Sequence, residues 1–207
     1  MSGQFMIYGA TGYTGKLTAR LAKEQGLRPV LAGRNEEKLR SVAESLGFEL
    51  CALHLDDASE LDEALHNIDV VLNLAGPFFL TAPLLADACL RTGTHYLDVA
   101  SEVAVFEALQ YQDKEARIRE VMIMPGVGFF VAASDCLAVH AAKPLPNAHS
   151  LCLGVSHTDV FSRRSRKTMI ELAHKEVMIR RGGKLTSIPL GVFEHQFNYG
   201  VRPAFFA

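Results

Sequence analysis

Gly9, Gly12 and Gly15 stand at three-residue intervals directly behind the apolar run 5–8 and ahead of a helix-forming run, residues 16–25. Strand, glycine-rich turn and helix in that order make a receptor for a diphosphate. Glycine puts no Cβ between the backbone and a phosphate. The first N–H groups of a helix have no acceptor of their own, and the helix dipole adds positive potential at the same point. The spacing is G-x-x-G-x-x-G rather than G-x-G-x-x-G, so the glycines alone are a weak signal and a plain tight turn is the alternative. The flanking strand and helix supply the context that the motif requires. Thr11, Tyr13 and Thr14 lie among the glycines and belong to the same expected contact surface.

A dinucleotide receptor places its next determinant at the end of the second strand. There an acid accepts bonds from a ribose 2′-hydroxyl, whereas an arginine pairs with a 2′-phosphate. That strand, residues 29–32, runs into Gly33-Arg34-Asn35 with no acid at its end, and Arg34 lies 19 residues past Gly15. The expected cofactor is therefore NADP, its extra phosphate held by Arg34 and Asn35 with Lys38 one turn further on; a solvated Arg34 is the alternative. After the third strand, Asp56 and Asp57 either reach the adenine side or cap the helix that begins near Ser59. Ala75-Gly76-Pro77 follows the fourth strand and brings backbone close to a ribose or nicotinamide ring. Ala100-Ser101-Glu102 follows the fifth, so Ser101 and Glu102 are expected on the nicotinamide side. Glu102 is the candidate catalytic group, and a carboxylate favouring a helix dipole is its alternative role.

Other chemistries find no pattern. The Tyr-x-x-x-Lys pair of short-chain dehydrogenases is absent, because the five tyrosines are followed at that spacing by Gly12, Leu17, Ala100, Glu115 and Pro203. There is no H-E-x-x-H, G-x-S-x-G or P-loop lysine pattern. The eight histidines show no metal-ligand spacing, so no metal is expected, and His140 and His174 read as structural or surface residues. The four cysteines are scattered without C-x-x-C, each in an apolar setting, and are expected to be buried reduced thiols. A basic run at residues 162–168 either holds an anion or faces water.

These determinants act together only if the strands end along one edge, and the hydrophobic pattern predicts that they do. A helix capped by Asn35 ends at Gly47, and residues 48–55 read as the third strand. A helix starts at Ser59, and the near-continuous apolar run 69–75 reads as a strand covered on both faces. A helix with Pro83 in its first turn stops at Gly93, residues 95–99 form the fifth strand, and 105–120 are helical. The sixth strand, 121–124, is broken by Pro125-Gly126-Val127-Gly128. Six alternations predict an α/β fold, a Rossmann-type doubly wound parallel sheet, with its ligand at the carboxyl ends of the strands. This NADP-binding domain is expected over residues 1–145. Residues 146–207 read as a partial α+β substrate domain, with an antiparallel strand at 149–157, a helix at 168–180 and a hairpin over 184–198 turning near Gly191. The apolar end, 204–207, reads as a shortened form of something longer.

Bulk properties narrow the partners. With 207 residues, 49% hydrophobic and 21% charged, the chain fills one domain or one plus part of a second. A net charge of −2 gives no basis for a nucleic-acid or anionic-membrane partner. The apolar runs are too short to span a bilayer, and the first strand begins too early to leave room for a signal peptide. A cytoplasmic protein is expected.

Five blocks in order carry a resemblance: residues 7–15, 32–35, 73–78, 95–102 (His-Tyr-Leu-Asp-Val-Ala-Ser-Glu) and 125–129. Together they resemble the saccharopine dehydrogenase-like oxidoreductases, a family that includes the trans-acting enoyl reductases. The resemblance covers residues 5 to about 190 and implies an NAD(P)-binding Rossmann domain followed by a substrate domain. The chain departs from the family pattern where Gly-Phe-Asp and Pro-Ser-Asp are usual, carrying Phe130 and Ala133 instead of the acid and the proline. It is also shorter than family members. Two functions follow as expectations. One is an NADP-dependent oxidoreductase moving a hydride to or from a C=O, C=N or C=C bond of a small or acyl-type substrate. The other is a non-catalytic NADP-binding module, a redox sensor or a truncated remnant. A homo-oligomer docked through the apolar tail is a further expectation.

Overall fold

The computed structural model describes residues 3–155, 177–192, 195–198 and 203–206. Six strands, β1 (Phe5–Tyr8), β2 (Val30–Gly33), β3 (Leu50–Ala52), β4 (Val70–Asn73), β5 (His95–Asp98) and β6 (Ile123–Met124), pair in parallel in the order β3-β2-β1-β4-β5-β6. The helices are α1 (Tyr13–Glu24), α2 (Glu36–Leu46), α3 (Ala58–Leu65), α4 (Phe78–Thr92), α5 (Val103–Gln110), α6 (Asp113–Ile118) and α7 (Phe129–Ala142). This is the expected doubly wound Rossmann-type sheet. Its strand order reverses between β1 and β4, the point where such sheets open a crevice for a ligand.

Period-two alternation sends the strand side chains into two cores. Met6 and Tyr8 join Leu61, Leu65, Leu85 and Tyr96 on one face, whereas Ile7 joins Ala19, Leu39 and Ala43 on the other. Both faces are covered, which is why β1 and β2 read as unbroken apolar runs. Local signals set the helix ends. The Asn35 side chain accepts from Lys38 N–H at the start of α2, and Asp57 accepts from Ser59 and Glu60 N–H at the start of α3. Gly47 and Gly93 close α2 and α4 in the left-handed conformation.

Several boundaries differ from the sequence reading. α1 begins at Tyr13, and β3 keeps only Leu50–Ala52 of the expected 48–55. α4 begins at Phe78 behind Pro77 as N-cap, so Pro83 lies inside the helix rather than in its first turn. The expected helix 105–120 is two helices, because Leu109 buries in the sheet core while Ala116 buries in a separate cluster with Leu90 and Val121. Cys89 is buried and Cys51 half-buried, but Cys136 and Cys152 are exposed; all four are free thiols.

The chain divides into compact units at 1–136 and 137–207. In the second, residues 149–155 form no strand, so that expectation fails over its described part. Residues 177–180, expected to end a helix, belong to strand β7 (Val177–Arg181), paired antiparallel with β8 (Lys184–Ile188). Gly182 and Gly183, both at positive φ, make the two-residue turn that joins them. β9 (His195–Asn198) pairs with β10 (Pro203–Phe206), so Gly191 stands between hairpins and not within one. The basic run 162–168 and His174 lie outside the described residues, and His140 is exposed in the last turn of α7.

Candidate functional site

Register brings the strand ends into one row. Ala32 lies beside Tyr8, Tyr8 beside Asn73, and Asn73 beside Asp98. The loops that leave this row are the ones that the sequence reading singled out.

The turn after β1 uses its glycines differently. Gly9 N–H and Ala10 N–H both donate to Ala32 O, at 2.9 and 3.2 Å, tying the turn to β2. Gly9 has φ +87°, and a Cβ there would fall 2.8 Å from Ala75 N. A Cβ at Gly15 would fall 2.3 Å from Gly9 O and 2.7 Å from Ala10 Cα. These two glycines are required by the protein's own packing. Gly12 is not: it has extended backbone, φ −72° and ψ 170°, and a Cβ there would meet only Gly9 O, at 3.3 Å. Gly12 is the N-cap of α1, no side chain caps the helix, and its first turn holds no acid. A helix start without a side-chain cap, at a residue whose missing Cβ would meet a single backbone atom, fits a bound phosphate. Thr11 is half-buried beside this turn, while Tyr13 and Thr14 are exposed.

At the end of β2, Arg34 and Lys38 are exposed cations. Asn35 stands between them, but its Oδ1 is committed to the α2 cap. Asp56 is exposed after β3, and Asp57, not Asp56, is the cap of α3. Arg34 and Asp56 both act on the Tyr8 hydroxyl. Burial pushes that phenol above its ordinary pKa, the Arg34 charge opposes the shift, and the Asp56 charge adds to it. Both charges are therefore felt at Tyr8, at the β3–β2–β1 end of the row.

The other end of the row carries a buried polar chain. Thr81 Oγ1 donates to Ala75 O at 2.7 Å, and Asn73 Oδ1 accepts from Ala75 N–H at 3.0 Å. Asn73 Nδ2 donates to Thr81 Oγ1 and to Tyr96 Oη, each at 3.1 Å. Tyr96 Oη donates to Asp98 Oδ2 at 2.8 Å, and Asp98 Oδ1 accepts from Ala100 N–H and Gly126 N–H at 2.9 and 2.8 Å. Asn73, Tyr96 and Asp98 are fully buried. Burial first, and the Asp98 charge second, raise the Tyr96 pKa far above the phenol range, so this hydroxyl stays protonated as a donor. None of these four residues was read as a site residue. A signal for them exists: Tyr96 and Asp98 are polar at i and i+2 on a strand covered on both faces, so both must find partners on one face.

Around this chain, Gly76 is half-buried and joined to exposed Pro77 by a cis peptide bond. Ser101 is exposed, and its N–H donates to Glu102 Oε2 at 2.9 Å. Glu102 is the N-cap residue of α5; its side chain makes no cap bond and its Oε2 accepts from Ser101 N–H. Phe130 and Ala133 are exposed on α7. Among the described residues no three His, Cys, Asp or Glu side chains gather where a metal could be held.

The family model of the saccharopine dehydrogenase NADP-binding domain matches residues 5–124. The chain belongs to this family. The match runs from β1 to β6, so NADP is the cofactor of this domain. A trans-acting enoyl reductase of Mycobacterium leprae is 34% identical over 138 residues, covering 63% of this chain and 33% of that protein. A saccharopine dehydrogenase-like oxidoreductase of Rattus norvegicus is 29% identical over 155 residues, 64% of this chain and 35% of the other. The chain thus spans about a third of the length of the curated relatives it matches. Saccharopine dehydrogenase (L-Glu forming) from Saccharomyces cerevisiae superposes with a TM-score of 0.72 at 17% identity, over 97% of this chain and 48% of that one, a likeness of fold. No helix among the described residues is long and apolar enough to cross a membrane.

Proposed function

We propose that this chain is the NADP-binding part of a cytoplasmic oxidoreductase. It would move a hydride to or from a C=O, C=N or C=C bond of a small or acyl-type substrate. The observation that carries this reading is the glycine turn at the switch point of the sheet, where a Cβ on Gly12 would meet only Gly9 O, at 3.3 Å. In this reading Gly9, Thr11, Gly12, Tyr13, Thr14 and Gly15 surround the diphosphate. Arg34, Asn35 and Lys38 serve the 2′-phosphate and Asp56 the adenosine, while Ala75, Gly76, Pro77 and Ser101 line the nicotinamide side. When bound, the nicotinamide supplies or accepts the hydride, and the protein orients it and excludes water. Glu102, next to Ser101, is the candidate catalytic group at that end. Residues 1–145 are the NADP-binding domain in this proposal, 146–207 part of a substrate domain, and the working form a homo-oligomer. The enzyme names of the relatives support the reaction class.

Phe130 and Ala133 support a second reading, a non-catalytic NADP-binding module. They replace an acid and a proline of the family pattern and stand exposed on α7. One experiment separates the two. NADPH is titrated onto the protein, and its oxidation is then followed at the nicotinamide absorbance with enoyl, imine and keto substrates. Turnover with one class supports the oxidoreductase. Tight binding without turnover across the panel supports the module, and failure to bind NADPH overturns both.

A further inference from the structure

We propose that Asp98, acting through Tyr96 and Asn73, is a positioning residue that sets the nicotinamide half of the crevice; the proposal rests on the cofactor reading above. Three loops leave the carboxyl edge on that side, and the polar chain holds all three. Asn73 and Thr81 between them occupy both the N–H and the C=O of Ala75 in the β4–α4 loop. Asp98 holds Ala100 N–H in the β5–α5 loop and Gly126 N–H in the β6–α7 loop, while its backbone carbonyl accepts from Val127 N–H at 2.8 Å. The β6–α7 loop is seated closely as well. A Cβ at Gly126 would meet the Phe106 ring at 2.7 Å, and one at Gly128 would meet Val99 Cβ at 2.9 Å.

The phosphate half is built otherwise, with Gly9 and Ala10 bonded backbone to backbone on Ala32. Burying a carboxylate among neutral partners is costly, and well-packed apolar side chains would fill the same space at less expense. What the apolar alternative lacks is direction. A carboxylate accepting from two separate loops fixes their spacing, and a tyrosine donating to it carries that constraint to the strand next door. The cost falls at the one edge of the sheet where loop spacing decides how a ring sits.

The test uses the full chain with Tyr96→Phe, Asp98→Asn and Thr81→Val, and two probes. NADPH occupies both halves of the crevice; adenosine 2′,5′-bisphosphate occupies only the adenine and phosphate half. Each variant is expected to weaken NADPH while the bisphosphate holds within about twofold: by about tenfold or more for Tyr96→Phe and Asp98→Asn, which lose bonds to a charged group, and by about fivefold for Thr81→Val, which leaves Ala75 O without its donor. The emission of bound NADPH is expected to move toward that of NADPH in water. Thr81→Val alters the half-buried end of the chain, so the test stands even if the Asp98 variant does not fold. The proposal is overturned if folded variants bind NADPH with unchanged affinity and emission, or if both probes weaken in parallel, which is the mark of a purely structural role. If the wild-type chain binds neither probe, it is the cofactor reading itself that falls, and this proposal with it.

Discussion

Replacing Gly12 by alanine separates a glycine kept for a ligand from glycines kept for the fold. The added methyl would stand 3.3 Å from Gly9 O, with nothing else within 4 Å, on a backbone that any residue adopts. Alanine is a poorer N-cap than glycine, but it also lowers the entropy of the unfolded chain. The two effects oppose each other, and the net change in unfolding free energy is expected to stay within about 1 kcal/mol. Binding is a different matter. The methyl projects where the diphosphate must approach the free N–H groups at the start of α1. Loss of one such charge-assisted bond, worth about 1.5–3 kcal/mol, raises the NADPH dissociation constant roughly 10- to 150-fold. Gly15→Ala gives the opposite pattern. Its methyl would press on Gly9 O at 2.3 Å and Ala10 Cα at 2.7 Å, both backbone atoms, so α1 must shift. A stability loss of at least about 2 kcal/mol is expected. The assays are urea unfolding and NADPH fluorescence titration on both variants. Wild-type affinity in Gly12→Ala would refute the cradle. So would a loss of stability in that variant equal to the loss in Gly15→Ala, because Gly12 would then be one more packing glycine.

Arg34→Ala is expected to weaken NADPH about 10- to 100-fold at low salt and to leave NADH unchanged, with the difference shrinking as salt rises; competitive titration with both nucleotides checks it. Asp57→Ala removes the acceptor for two N–H groups at the start of α3. It should cost about 1 kcal/mol in urea unfolding while NADPH affinity stays as it was. The Asp62 carboxyl, bonded by Arg91 at 2.7 and 2.8 Å, is held below its ordinary value by that hydrogen bond. A carboxyl depressed in the folded state stabilises the protein above its unfolded pKa of about 4 and loses that contribution as pH falls through the lower folded value. Thermal melts between pH 2.5 and 6 are therefore expected to show a steeper acid limb for the wild type than for Asp62→Asn. The pair is partly exposed, so the whole effect is expected to stay below about 1 kcal/mol.

Much of the first unit was legible because its signals are local. Asn35 announces α2 by a single side-chain bond to the backbone three residues on, and Gly47 ends it by the one conformation that glycine adopts freely. Misreadings arose where local signals compete. Pro83 sits where a helix start was expected, but Pro77 had already capped α4 and the run 78–80 belongs to the helix. Residues 177–180 have helical periodicity up to Arg180, yet Gly182-Gly183 supplies a tight turn, and pairing with β8 decides for strand. Asp56 and Asp57 are neighbours of the same type, and only the observed bonds show which of them caps α3.

The order of turns, strands and helices, the glycine turn behind β1 and the guanidinium at the end of β2 are properties of the sequence, because each depends on residues within a few positions of one another. Tyr96 and Asp98 share a face of β5 by their spacing, but strand pairing alone decided that Asn73 and Gly126 N–H meet them. Asn73 lies on β4 and Gly126 in the loop after β6, and their bonds exist only once parallel register has laid the strand ends side by side. The same holds for the differing roles of Gly12 and Gly15. Both are plain glycines in the chain, and the space beside each Cα is set by how closely α1 folds back on the turn.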